Sequence, residues 1–320
     1  VNLMKFSKRK ISAVVACACA ATAGCFTVPV RAAEGPAGSL GTGLTAGYHF
    51  TKTTDLPLRP IDLSPFQGKF STEILAAPST GLQAEIVMYT RLAPGAGKRG
   101  LYTLPTDHTY LVMKGKMNVQ LGTDEFVVEP NTLILVHPGI PAQVWNSGTE
   151  EADALEVVAP IASSDLAFLM RPATATKVDN AAQYIFLAPD LGPMKGGVGH
   201  EGLNERVMAS TDNGSMNILE RLDDVLPGGG GPPTHKHEED QLYLVTAGVM
   251  TVEYKGQKMP ASPNTLVVLP RGVLHANTNT GDAVESHVTL LMPAQPGGGP
   301  RGIAAVSLAD KLAGKAPAKP

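Results

Sequence analysis

Residues 234–248 read THKHEEDQLYLVTAG, and residues 269–279 read LPRGVLHANTN. In the first stretch His235 and His237 stand at i and i+2. Side chains two apart on a β-strand share one face, so both imidazoles can reach a single ion. Gln241 continues the even step and points the same way on a regular strand. The turn-like Pro270-Arg271-Gly272 then lets a later strand bring in His275. Neutral imidazole is the commonest protein ligand for first-row transition metals. The constellation is therefore read as a metal centre rather than as polar histidines on a strand edge.

The chain also repeats itself. YLVMKGKMNVQ at 110–120 and YLVTAGVMTVE at 243–253 are one pattern at an offset of 133. The same offset maps Pro94 onto Pro227, Gly115 onto Gly248 and residues 130–133 (PNTL) onto 263–266 (PNTL). It also pairs Gly139 with Gly272, Asn146 with Asn279, Gly148 with Gly281 and Pro160 with Pro293. Two copies of one domain are expected. Within each copy, short runs rich in Val, Leu, Tyr and Thr are punctuated by Gly, Pro and Asn. That is the pattern of an all-β sandwich or barrel. A short helix is expected around 163–171, and a second, amphipathic one at 303–314 after a Gly/Pro-rich hinge.

With these residues in view, the chain resembles the cupin superfamily, as a two-domain bicupin of the quercetinase-like kind. The family's first motif, G-x5-H-x-H-x(3,4)-E-x6-G, is matched by GGPPTHKHEEDQLYLVTAG at 230–248, with Gln241 where Glu is usual. The second, G-x5-P-x-G-x2-H-x3-N, is matched by Pro270, Gly272, His275 and Asn279 but lacks its leading Gly. The resemblance implies two tandem double-stranded β-helix barrels: an N-terminal domain at 45–162, a linker at 163–182, a C-terminal domain at 183–294 and a tail at 295–320. It also implies one divalent metal held by His235, His237 and His275, with Gln241 as the fourth motif residue. The expected ion is Fe(II), with Mn, Ni, Co or Zn as alternatives. At the 133 offset the ligands become Tyr102, Leu104, His108 and Ala142 in the first copy, so no metal is expected there. His108 and His137 are read as core or pocket residues.

A first shell of three neutral imidazoles and an amide leaves nearly the whole dipositive charge of its ion, and so favours an anionic, chelating ligand. Within the resemblance this favours a dioxygenase acting with O2 on a small aromatic or enolisable anion. Tyr243, on the face of Gln241, is the candidate to hydrogen-bond the substrate, although Tyr110 holds the same place in the first copy. A metal-dependent lyase, decarboxylase or isomerase remains open, as does an envelope protein that binds metal or small molecules without turnover.

Composition limits the other classes. Lys5, Lys8, Arg9 and Lys10 precede a small-residue apolar stretch, the layout of a secretory signal peptide over residues 1–33, with a retained membrane anchor or a lipidated terminus as alternatives, and hence of a secreted or periplasmic protein. All three cysteines, Cys17, Cys19 and Cys25, fall inside it, so a processed chain would carry no disulfide. Removing residues 1–32 would leave 21 basic against 29 acidic residues. That balance argues against a nucleic-acid partner or an anionic membrane surface. A homodimer is compatible with everything above.

Overall fold

The computed structural model describes residues 49–52, 59–60, 70–77, 81–82, 84–96, 100–161, 170–190, 202–294 and 303–315. The leader, most of the candidate helix at 163–171 and the hinge lie outside them. β1 (His49–Lys52) comes first. The first copy then holds β2 (Arg59–Pro60), β3 (Phe70–Ala76), β4 (Ile86–Leu92), β5 (Tyr102–Thr103), β6 (Asp107–Lys114), β7 (Met117–Leu121), β8 (Asp124–Val128), β9 (Thr132–Val136), β10 (Ala142–Trp145) and β11 (Ala152–Ala159). β12 (Arg171–Pro172) and β13 (Ile185–Leu187) follow. The second copy holds β14 (Leu203–Ala209), β15 (Leu219–Val225), β16 (Asp240–Ala247), β17 (Met250–Tyr254), β18 (Gln257–Ala261), β19 (Thr265–Leu269), β20 (His275–Asn279) and β21 (Glu285–Met292). The chain closes with β22 (Ile303–Ala304), β23 (Val306–Ser307) and the helix α1 (Leu308–Leu312).

The repeat is structural. Shifted by 133, strands β3, β4 and β6 to β11 start where β14 to β21 start. Each copy is a large antiparallel sheet facing a smaller one: β3-β4-β11-β6-β9 against β10-β7-β8 in the first, and β14-β15-β21-β16-β19 against β20-β17-β18 in the second. Turn chemistry repeats as well. Gly115 and Gly248 adopt φ of 71° and 67°. A Cβ there would lie 2.3 Å from the carbonyl oxygen of Glu151 and 2.6 Å from that of Val284, so only glycine fits.

The two large sheets pack face to face. Leu111, Leu133 and Leu155 of the first copy meet Leu242, Leu266 and Leu290 of the second in one core. The alternate residues of the same strands point into each barrel, where Tyr110, Val112 and Ile134 in one correspond to Tyr243, Val245 and Val267 in the other. Strands buried on both faces read as continuous apolar runs, which is why β9 (TLILV) and β19 (TLVVL) show no alternation.

The copies are also interlocked. β1, ahead of the first copy, pairs with β19 of the second, while β13, ahead of the second, pairs with β9 of the first. β12, in the linker, pairs with β5 of the first copy, and β13, just past the linker at the start of the expected C-terminal domain, extends the first copy's large sheet. The expected amphipathic helix at 303–314 is helical only over Leu308–Leu312. Its first half is extended instead. β22 pairs with β14 of the second copy and β23 with β13 on the first copy's sheet, so this segment ties the two sheets together. Pairing to open sheet edges outweighs helix propensity in so short a segment.

Candidate metal centre

His235 and His275 face each other as an isolated bridge: each backbone N–H donates to the other's carbonyl at 2.9 Å. The Gly272 N–H donates to the His237 carbonyl at 2.8 Å, fixing the second histidine against the turn. The loop ahead of the pair is tied down rather than free. Gly228 donates to the Asn279 carbonyl, and Gly231 to that of Asn277. A Cβ on Gly230 would lie 2.5 Å from the Asn277 carbonyl oxygen, so the glycine run is a requirement of close approach. Asn279 is a turn residue, its Oδ1 accepting from the Gly281 N–H. Its amide donates to the Val225 and Ala283 carbonyls, as Asn146 donates to those of Leu92 and Glu150.

The three imidazoles converge, with ligand atoms all within 4.8 Å of one another. His235 Nε2 and His237 Nε2 are 3.0 Å apart, the spacing expected of two ligands that each sit ~2.0–2.1 Å from a shared ion. The outer nitrogens are occupied. His235 Nδ1–H donates to the Pro233 carbonyl at 3.0 Å, and His275 Nδ1–H to the Val273 carbonyl at 2.9 Å. Such bonds fix the tautomer and leave Nε2 with its lone pair inward. Burial, then neighbouring His235 and His237, push the His275 pKa down to about 4 against the opposing bond from Val273. His237 is also lowered, by burial and by the charges of His235 and Arg221. These two rings are neutral near pH 7, the state a metal needs.

Two buried atoms here have no hydrogen-bond partner: His275 Nε2 and Gln241 Oε1. Unsatisfied buried acceptors are costly, and a cation among the three histidines would satisfy His275 Nε2. Glu239 does not swing inward; its carboxylate lies 4.0 Å from the outer Nδ1 of His237. The donor set fits a divalent ion.

The first copy is closed at the same place. Tyr102 and Tyr110 join hydroxyls, His108 Nε2 pairs with Glu156 Oε1 at 2.8 Å, and Leu104 and Ala142 are buried. His108 is thus a core residue. His137 lies outside the barrel, 3.5 Å from Asp107, and lines a cavity of about 520 Å³ at the junction of the copies.

Sequence reading missed a second group inside the second barrel. Asp223, His287 and Glu285, all buried, and the partly buried Glu205 and Arg221 form a chain of alternating charge. Arg221 pairs with Glu205 and, at 3.2 Å, with Asp223. His287 Nε2 is 3.4 Å from Asp223, and its Nδ1 donates to Glu285 at 3.0 Å. Burial opposes the charge on His287, yet its bonds to Asp223 and Glu285 raise its pKa to about 9. Tyr243 stands between this chain and the histidines. Its ring meets His287 edge-on at 5.2 Å and His275 at 6.4 Å, and its hydroxyl points to Asn277 Oδ1 at 3.5 Å. The signal lay in the offset: Met88, Thr90, Ala152 and Ala154 stand at the places of Arg221, Asp223, Glu285 and His287.

Residues 222–292 match the cupin domain family. No curated protein sequence matches the chain. Among solved structures, a putative glyoxylate-induced protein from Pseudomonas aeruginosa is similar at a TM-score of 0.63 and 13% identity, covering 85% of this chain and 98% of that one. Oxalate decarboxylase of Bacillus subtilis, a protein with Mn(II) centres, is similar at 0.57 and 16%, covering 85% and 82%. Vicilin from hazelnut, Corylus avellana, is similar at 0.52 and 12%, covering 77% and 85%. At such identities the likeness is one of fold. Together with the repeat, it shows a fold of two cupin-like barrels in tandem, and the second barrel matches the cupin domain family over residues 222–292.

Proposed function

We propose that the second barrel is a mononuclear metal centre and that the protein is a metal-dependent enzyme acting on a small anion, in the first reading a dioxygenase. The observation that carries this is the pair of unsatisfied inward atoms, His275 Nε2 and Gln241 Oε1, beside His235 and His237. Those four residues would hold one divalent transition metal, Fe(II) by preference. When bound, the ion supplies Lewis acidity and open positions for an anionic chelator and O2. The residues around it orient and exclude water. Tyr243, buried and pointing to Asn277, offers its hydroxyl to the ligand, and burial holds its pKa well above the ordinary phenol range, so it acts as a donor. The barrel walls Val245, Met250, Val252 and Leu269 keep the interior dry, which strengthens each polar contact.

A second reading, decarboxylation or another lyase reaction without net oxidation, has equal support from the likeness to oxalate decarboxylase. Oxygen uptake by metal-loaded protein with a panel of catechols, flavonols and β-diketones decides between the two. Turnover that consumes O2 supports the first reading, and turnover of the same extent in its absence supports the second. A loaded protein that turns over nothing in either atmosphere speaks for binding without catalysis.

A further inference from the structure

The first copy serves as an internal control for the second. Both barrels fold from the same strands, yet only the one with the three histidines carries charge at positions 221, 223, 285 and 287. In the other those positions are Met88, Thr90, Ala152 and Ala154. Buried ions cost free energy unless paired and hydrogen-bonded, and the first barrel buries a different pair, His108 with Glu156, while carrying no charge at these four places. Charge at these four places is thus particular to the barrel with the three histidines.

Strand register sets Arg221 opposite Thr289, and Thr289 opposite Tyr243, all on the inner face. Two guanidinium nitrogens of Arg221 are held by Glu205 and Asp223. Its Nε is buried and has no partner. Asp223 is fixed in turn by Thr289, which donates at 2.6 Å, and by His287. Tyr243 brings a hydroxyl to the same level, and its O–H donates to Asn277 Oδ1 only at 3.5 Å, the outer limit of a hydrogen bond. The first copy has Met88 and Val144 in place of Arg221 and Asn277, and its Tyr110 hydroxyl is occupied by Tyr102. A guanidinium N–H, a phenol O–H and a carboxamide N–H are all donors, and their complement is an oxygen ligand that only accepts.

We infer that Arg221 Nε, Tyr243 and Asn277 form a carboxylate subsite beside the three imidazoles, with Glu205, Asp223, His287 and Glu285 as the network that positions the guanidinium. This rests on the metal-centre reading and narrows its substrate class to small anions that carry a carboxylate apart from their metal-chelating oxygens.

The test uses Zn(II)-loaded full-length protein and two probes that differ only in a carboxylate, 3,4-dihydroxybenzoate and catechol, titrated by calorimetry. Wild type should bind the first at least ~10-fold more tightly, the scale of a charge-assisted bond. Arg221→Lys, which keeps the charge and removes Nε, and Asn277→Val should each erase most of that preference. Catechol affinity and zinc content should stay unchanged. A variant with the first copy's residues, Glu205→Thr with Arg221→Met and Asp223→Thr, should fold, keep zinc and show no preference. Normal zinc with a preference unmoved by Arg221→Lys overturns the inference alone. Wild-type protein that takes up no zinc overturns the metal-centre reading and the inference with it.

Discussion

His235 and His275 exchange two backbone hydrogen bonds of 2.9 Å, and the first copy repeats the pairing between Tyr102 and Ala142. The scaffold that sets two metal ligands side by side is thus present in both barrels, and the side chains alone decide which one can hold an ion. Metal analysis should give one divalent ion per chain. His275→Ala should lower affinity by more than the roughly 10–100-fold that loss of an outer hydrogen-bond partner costs. Two tightly held ions per chain, or one that survives His235→Ala with His275→Ala, would contradict this.

Gln241 supplies a carbonyl oxygen where the family motif has a carboxylate. Gln241→Ala should keep most of the metal, and His237→Ala should lose it. Gln241→Glu adds a negative charge among the imidazoles, so it should tighten divalent metal binding while weakening an anionic ligand. Competition with a coloured chelator reads the first effect and ligand titration the second. No change in either would mean that residue 241 does not face the ion.

Glu220 is fully buried between the copies and accepts from Thr109 at 2.8 Å. Burial raises its pKa from 4.5 to about 8, against the opposing bond from Thr109. The folded state therefore holds a proton that the unfolded chain releases. The contribution is complete below pH 4.5 and is lost as pH rises through about 8. At ~1.4 kcal/mol per unit, the loss is of order a few kcal/mol. Urea unfolding at pH 5 and pH 8.5 should show it, and Glu220→Gln should flatten the difference. An equal pH slope in the variant would place the effect elsewhere.

Gly115→Ala and Gly248→Ala should each destabilise by roughly 1–3 kcal/mol, since both positions combine positive φ with a carbonyl oxygen inside contact distance. Thermal unfolding measures the loss. A shift within error for either would show that the turn relaxes without cost.

Much of this protein is local information. The 133-residue repeat, the strand positions and the i, i+2 histidines are all legible in the chain, because strand periodicity and turn residues act between near neighbours. The same local signals placed a helix over 303–314, and there they lost. Ile303–Ser307 finds open edges on two sheets, and the hydrogen bonds offered by those edges come from residues about 100 or more positions away. Only the tertiary structure decided the strand exchange of β1 and β13 and the charged chain from Glu205 to Glu285. In sequence, LERLDDV at 219–225 is dense in charge. It turns inward because the large sheet is covered on both sides, by the partner copy and by its own barrel. The charge of Arg221 becomes tolerable once strand pairing brings Glu205, Asp223 and His287 into reach. No spacing along the chain encodes that neighbourhood, since its members come from three strands that meet only when the large sheet forms.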